Sequence, residues 1–289
     1  MQSGATIARY QLKSKRDATL PFQAILMSHF RKAITFAILF TTTLALSVSS
    51  IAPARAGDPL YPDIVEQISH IQIQNEHKRE MLRFSTIHIN VGDGPLQIRG
   101  GGQVAQCTID GVSYPQCTIA TQEILDSSGN IVQTNPAGTA LFHPQHNHWH
   151  QNAVVNYELR PGSLEGKAIA TGQKVTFCMV DNDKTDLIQK HNKRTYFECN
   201  SELQGISVGW SDSYHQSTPG QELDITGAPE GVYYLTHYAD PDNHWLETNE
   251  NNNFAWVKLL LSRQGANPKM TILDRSPCSG AACGSPSNP

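Results

Sequence analysis

Four of the twelve histidines fall within eight residues, His143-Pro144-Gln145-His146-Asn147-His148-Trp149-His150. Successive side chains of an extended strand point to opposite faces. A strand here therefore sets His146, His148 and His150 on one side and Asn147 and Trp149 on the other. Three neutral imidazoles on one face suit a borderline transition metal, copper or zinc. Spacing alone does not separate the two. A zinc hydrolase needs an open coordination position and a carboxylate base close by, and the local sequence offers only Glu158. One histidine in a polar strand would be incidental; strict repetition at intervals of two is what favours a metal site.

The elements that must hold this segment are strands. Ile87, Ile89 and Val91 alternate with polar residues before Gly92-Asp93-Gly94-Pro95 turns the chain. Short apolar or alternating runs recur at 117–120, 131–133, 153–159, 175–180, 223–226, 232–237 and 254–261, separated by Asp, Asn, Gly and Pro clusters. Many short strands with such punctuation predict a mainly β fold, an antiparallel β-sandwich-like core with long loops and little helix. Residues 57–80 form an N-terminal extension with one short helix expected around Ile64–Ile73. The main domain is expected over 81–275. The tail, 276–289, is rich in Ser, Pro and Gly and is read as flexible.

The amino-terminal end sets the compartment. Arg31 and Lys32 precede an apolar run from Ala33 to Val48, and Ala54-Arg55-Ala56 has the small-x-small pattern of a signal peptidase site. Residues 1–56 are read as a leader, with translation starting at Met27 and the exported chain near Gly57. The apolar run is short and diluted by Ser and Thr, so no stable membrane anchor is expected. Seven of the 22 basic residues but one of the 26 acidic residues lie in 1–56, which leaves the body ten charges negative. Such a surface excludes the phosphate-neutralising mode of nucleic-acid binding and favours cationic ligands. Six cysteines, all after the leader, fit an oxidising compartment. Proximity suggests the pairs Cys107–Cys117, Cys178–Cys199 and Cys278–Cys283.

An ordered set of segments resembles the catalytic domain of lysyl oxidases. His143 to His150 resembles the family's copper segment WHxCHxHYH, with Gln145 in place of its cysteine and Trp149 in place of its tyrosine. Asn156-Tyr157-Glu158-Leu159 resembles HYDL, and Gly172-Gln173-Lys174-Val175-Thr176-Phe177-Cys178-Met179-Val180-Asp181 resembles GHKASFCLED. Gln204 to Tyr214 resembles QGISxGxxDxY, Gln221 to Thr226 resembles QWIDIT, and Gly231 to Leu235 resembles GNYIL. Glu247 to Asn253 resembles ExxxTNN. The blocks keep the family's order from about Leu82 to Asn253; the set is specific, whereas each block alone is weak.

The resemblance implies a copper-dependent amine oxidase. Its copper ligands would be His146, His148 and His150. Its cofactor would be lysine tyrosylquinone, made by the chain from Lys174 and Tyr214, the two catalytic positions. Primary amines or lysine-containing substrates would be oxidised by molecular oxygen to aldehydes, with release of peroxide and ammonia. Asp212 and Asp224 are the candidates for a catalytic base, and each is equally readable as a hydrogen-bond acceptor in a turn or at a strand end. Without the aligned blocks, Lys174 would pass for a solvated strand end and Tyr214 for a loop aromatic.

Two other readings stay open at this level. Gly231–Leu235 with Glu247–Asn253 also resembles adhesion modules of the CARDB type, β-sandwiches that bind without catalysis. A zinc-dependent enzyme could use the same three histidines. His215 is read as a loop side chain, Trp210 and Trp245 as packing, and Asp240-Pro241-Asp242-Asn243 and Glu247–Asn253 as turn chemistry, with a calcium site as the alternative. The physiological amine and the oligomeric state are not written in the sequence.

Overall fold

A computed structural model describes residues 57–277 apart from Asp110, 173–175, 200–201 and Ala266. The leader, Lys174, Cys278 and Cys283 lie outside the described residues. The strands are β1 (Ile64–Glu76), β2 (Arg79–Asn90), β3 (Leu96–Ile109), β4 (Val112–Leu125) and β5 (Ile131–His143). They continue as β6 (His148–Gln151), β7 (Val155–Pro161), β8 (Ala170–Thr171), β9 (Asp183–Lys184) and β10 (Leu203–Ile206). The last are β11 (Trp210–Tyr214), β12 (Glu222–Asp224), β13 (Gly231–Ala239), β14 (Phe254–Gln264) and β15 (Asn267–Arg275). No helix occurs among the described residues, so the protein is mainly β.

The strands form three antiparallel sheets. The first runs β1-β2-β11-β9, with β12 also pairing β2. The second runs β10-β3-β4-β5-β6 and the third β15-β14-β13-β7-β8. Period-two alternation explains which face each strand buries. Val155, Tyr157 and Leu159 of β7 are buried between the less buried Asn156, Glu158 and Arg160. Ala255, Val257, Leu259 and Leu261 of β14 do the same. These faces meet Leu82 and Phe84 of β2, with Phe177 and Met179, in one core. Burying a side chain of this size is worth about 1.5–3 kcal/mol. The Phe84 ring meets Tyr157 edge-on at 5.1 Å.

Two expected elements differ. The segment Ile64–Ile73 is strand, not helix. A bulge between Ser69 and Gln72, with His70 at φ 46°, shifts the buried face partway along β1. The interrupted alternation leaves apolar residues at 64, 68 and 71, which imitates a helical stripe. The β1–β2 turn is His77-Lys78, both at positive φ (49° and 69°), the twist that two-residue hairpins require. The run at 175–180 is not a strand over its described part. Thr176–Val180 makes one bridge, Phe177 to Gln151, and then turns its hydrogen bonds to Gln204 and Gly205. Its backbone groups are satisfied by scattered partners rather than one ladder. The disulfides Cys107–Cys117 and Cys178–Cys199 are both formed.

Candidate functional site

The histidine segment is a turn followed by a strand, not one extended strand. β5 ends at His143 and β6 begins opposite it at His148. The N–H groups of His146 and Asn147 both donate to the His143 carbonyl, at 3.1 and 2.9 Å. Asn147 takes φ 57°, a conformation asparagine tolerates better than most residues. Only His148 and His150 therefore share a strand face; the turn delivers His146 to them. His148 Nε2 lies 2.9 Å and His146 Nδ1 3.3 Å from His150 Nε2. Two nitrogens bound to one ion at about 2.0 Å stand roughly 3 Å apart, so this donor set fits a single transition-metal ion. His150 is 1% exposed, and its Nδ1 lies 3.1 Å from Thr176 Oγ1. His143 stacks on His146 with ring centres 4.1 Å apart.

β11 brings the second part of the site. It pairs with β2, Asp212 opposite His88 and Tyr214 opposite Thr86. The sequence reading set Tyr214 on a loop; it closes a strand instead, because Trp210–Tyr214 finds both β2 and β9 as neighbours. A cleft of about 240 Å³ is lined by the three histidines together with Asp212, Tyr214 and Cys178. The Tyr214 hydroxyl donates to the Cys178 carbonyl. Its ring lies edge-on to Phe177 at 4.2 Å. The Cys178–Cys199 bridge ties that carbonyl's strand of chain to its neighbour. Thr176, two positions after Lys174 in the sequence, also touches His150.

Burial governs the protons here. Desolvation, reinforced by the charge of Asp212, raises the Tyr214 phenol well above its usual value. Burial pushes the Asp212 carboxyl up to about 8, against the pull of His88 and of the neighbouring Tyr214 side chain. A carboxyl in that range is suited to exchange protons near neutral pH.

The other candidates fall elsewhere. Asp224 is at the surface, 3.6 Å from Arg79, and accepts from the Thr226 N–H. Glu158 pairs with Arg160. His215 contacts Ser217 in an exposed turn. Trp245 is in the core, and the Trp210 indole donates to Asn192. Asp240 accepts from the N–H groups of His244 and Trp245, and Glu247 from Ile64 and Asn253.

One cluster was missed. Glu66, His88 and His237 meet in the core, each at most 1% exposed. The available signal was a carboxylate inside the apolar run Ile64-Val65-Glu66, a position that a strand face cannot leave in water.

A family described as lysyl oxidase matches residues 121–269, which contain the histidine segment and Tyr214. Lysyl oxidase homolog 2 of Gallus gallus is 33% identical over 115 residues, 39% of this chain and 14% of that protein. The Homo sapiens protein of that name gives the same values, and the Rattus norvegicus one is 34% identical over 115 residues. The match spans 14% of the length of these relatives. The family match covers more than half of the 289 residues, and on that ground the chain belongs to the lysyl oxidase family.

Proposed function

We propose that the chain is an exported, copper-dependent amine oxidase that converts primary amines, peptidyl lysine among them, to aldehydes. The observation that carries this reading is the single cleft shared by His146, His148, His150, Asp212 and Tyr214. The three histidines would hold copper through the facing nitrogens. Copper with oxygen, and a lysine tyrosylquinone from Lys174 and Tyr214, would supply the oxidation of a tyrosine ring and a carbonyl that draws electrons from a substrate amine. The overall reaction balances as amine, oxygen and water giving aldehyde, ammonia and hydrogen peroxide.

The chain's own residues do the rest. The Cys178 carbonyl and the Phe177 ring fix the plane and direction of Tyr214. Asp212 accepts the proton lost from the substrate α-carbon, which its raised proton affinity favours. The acidic body steers protonated amines toward the cleft. Two disulfides fit export to an oxidising compartment. The adhesion-module reading has no use for a tyrosine and a buried carboxyl beside the histidines. A zinc-dependent enzyme could use the same histidines with Asp212 as its carboxylate, and metal analysis of the matured protein separates that reading from the copper one.

The test is Tyr214→Phe in copper-matured protein. The cross-linked peptide joining the Lys174 and Tyr214 segments, the quinone colour and peroxide production should vanish together, with copper retained. Full oxidase activity in this variant would refute the quinone assignment.

A further inference from the structure

We propose that Glu66, His88 and His237 form a second metal site, a closed structural site for zinc inside the core. Glu66 and His88 are cross-strand partners on β1 and β2, and His237 comes from β13 of the third sheet. His88 Nδ1 lies 2.9 Å from Glu66 Oε1, and His237 Nδ1 lies 2.9 Å from Glu66 Oε2. The second contact is out of line for a hydrogen bond. Among the described residues, Glu66 Oε2, His88 Nε2 and both ring nitrogens of His237 are buried without a hydrogen-bond partner. Proteins seldom leave so many polar atoms unsatisfied in one place.

A metal held between Glu66 and the two Nδ1 atoms would give Glu66 Oε2 and His237 Nδ1 a partner. One ligand atom from each of the three residues falls within 4.8 Å of the others. Ligands about 2.0–2.1 Å from one ion stand about 3 Å apart without pointing at one another, as Glu66 Oε2 and His237 Nδ1 do. Two imidazoles and one carboxylate are three protein ligands of the kinds zinc takes, and the second carboxylate oxygen would occupy the remaining position. Zinc has no preferred d-electron geometry and no redox chemistry, which suits a site with no opening for substrate. The ion would displace the proton between His88 and Glu66. Asp212 of β11 pairs directly opposite His88. The rings that wall the site are Phe177, Tyr157 and Tyr214. Such an ion would staple the first sheet to the third, independently of any oxidase chemistry.

The test uses the His146→Ala/His148→Ala/His150→Ala variant of the full chain, stripped of metal, offered zinc alone and dialysed. The expected result is one zinc retained per chain and a raised Tm, with X-ray absorption reporting mixed nitrogen and oxygen ligands. Adding Glu66→Gln to that background should remove the zinc and the Tm shift. No retained zinc in the triple variant would overturn the proposal, and so would zinc retained equally after Glu66→Gln. If Glu66→Gln does not fold, zinc retention and ligand type in the triple variant still decide the matter. Neither measurement depends on amine oxidation, so failure here leaves the oxidase reading to its own test.

Discussion

Thr176→Val should weaken copper binding without disturbing the three ligands. His148 Nε2 and His150 Nε2 are 2.9 Å apart, so without a metal one proton could lie between them. His150 Nδ1 can then accept from the Thr176 hydroxyl. A metal on His150 Nε2 removes that choice, because a neutral imidazole ligating through one nitrogen carries its proton on the other. The proton on Nδ1 then meets Thr176 Oγ1, 3.1 Å away, where both side chains are at most 6% exposed. Valine keeps the shape of threonine and removes the hydroxyl, on which the metal-bound state, with its obligatory Nδ1 proton, depends most. Loss of an outer partner of a ligating histidine costs 10–100-fold in metal affinity as a rule. That corresponds to about 1.4–2.8 kcal/mol at 1.4 kcal/mol per tenfold. Competition against a chelator of known affinity measures the copper Kd of wild type, Thr176→Val and Thr176→Ser. Serine retains the hydroxyl and should stay near wild type. An unchanged Kd in the valine variant would refute the tautomer argument.

Asp212 should impose a pH dependence on stability in metal-free protein. Its carboxyl is raised from 3.8 to about 8 on folding, so between these values the folded state holds a proton that the unfolded state has lost. Stability therefore falls as pH rises through this window, by at most about 1.4 kcal/mol per pH unit. Asp212→Asn should flatten that decline in urea titrations at several pH values, and equal slopes would count against a buried, protonated Asp212. Replacing Cys178 and Cys199 together by Ser opens a loop of sequence separation 21 and should cost about 3 kcal/mol. The same variant should reduce peroxide production, because the Cys178 carbonyl that holds Tyr214 is freed. Undiminished activity in folded double mutant would show that the bridge does not position the tyrosine.

What the sequence could reveal depended on how local each feature is. The local disulfides Cys107–Cys117 and Cys178–Cys199 were legible because their partners are close along the chain. The buried faces of β7 and β14 were legible because their alternation is unbroken, whereas β13 buries Leu235, Thr236 and His237 in succession. β1 was misread because the bulge after Ser69 slips the alternation, and a slipped period of two imitates a period near 3.6. The histidine segment brings the three named side chains together, but its backbone is a turn leading into a strand rather than one extended strand. A straight strand and a turn leading into a strand can both gather His146, His148 and His150, and spacing does not distinguish them. Tyr214 and Asp212 carried no local signal and were singled out only by family resemblance; their place beside the histidines comes from β11 pairing with β2. Glu66, His88 and His237 were beyond reach for a stronger reason. They sit on β1, β2 and β13, and the contact between Glu66 and His237 spans two sheets whose packing no short window encodes. Each taken alone is a polar residue in an apolar strand, which a solvent-facing position would also explain. Burial removes that explanation, and the three become a single chemical unit only once the first and third sheets are packed together.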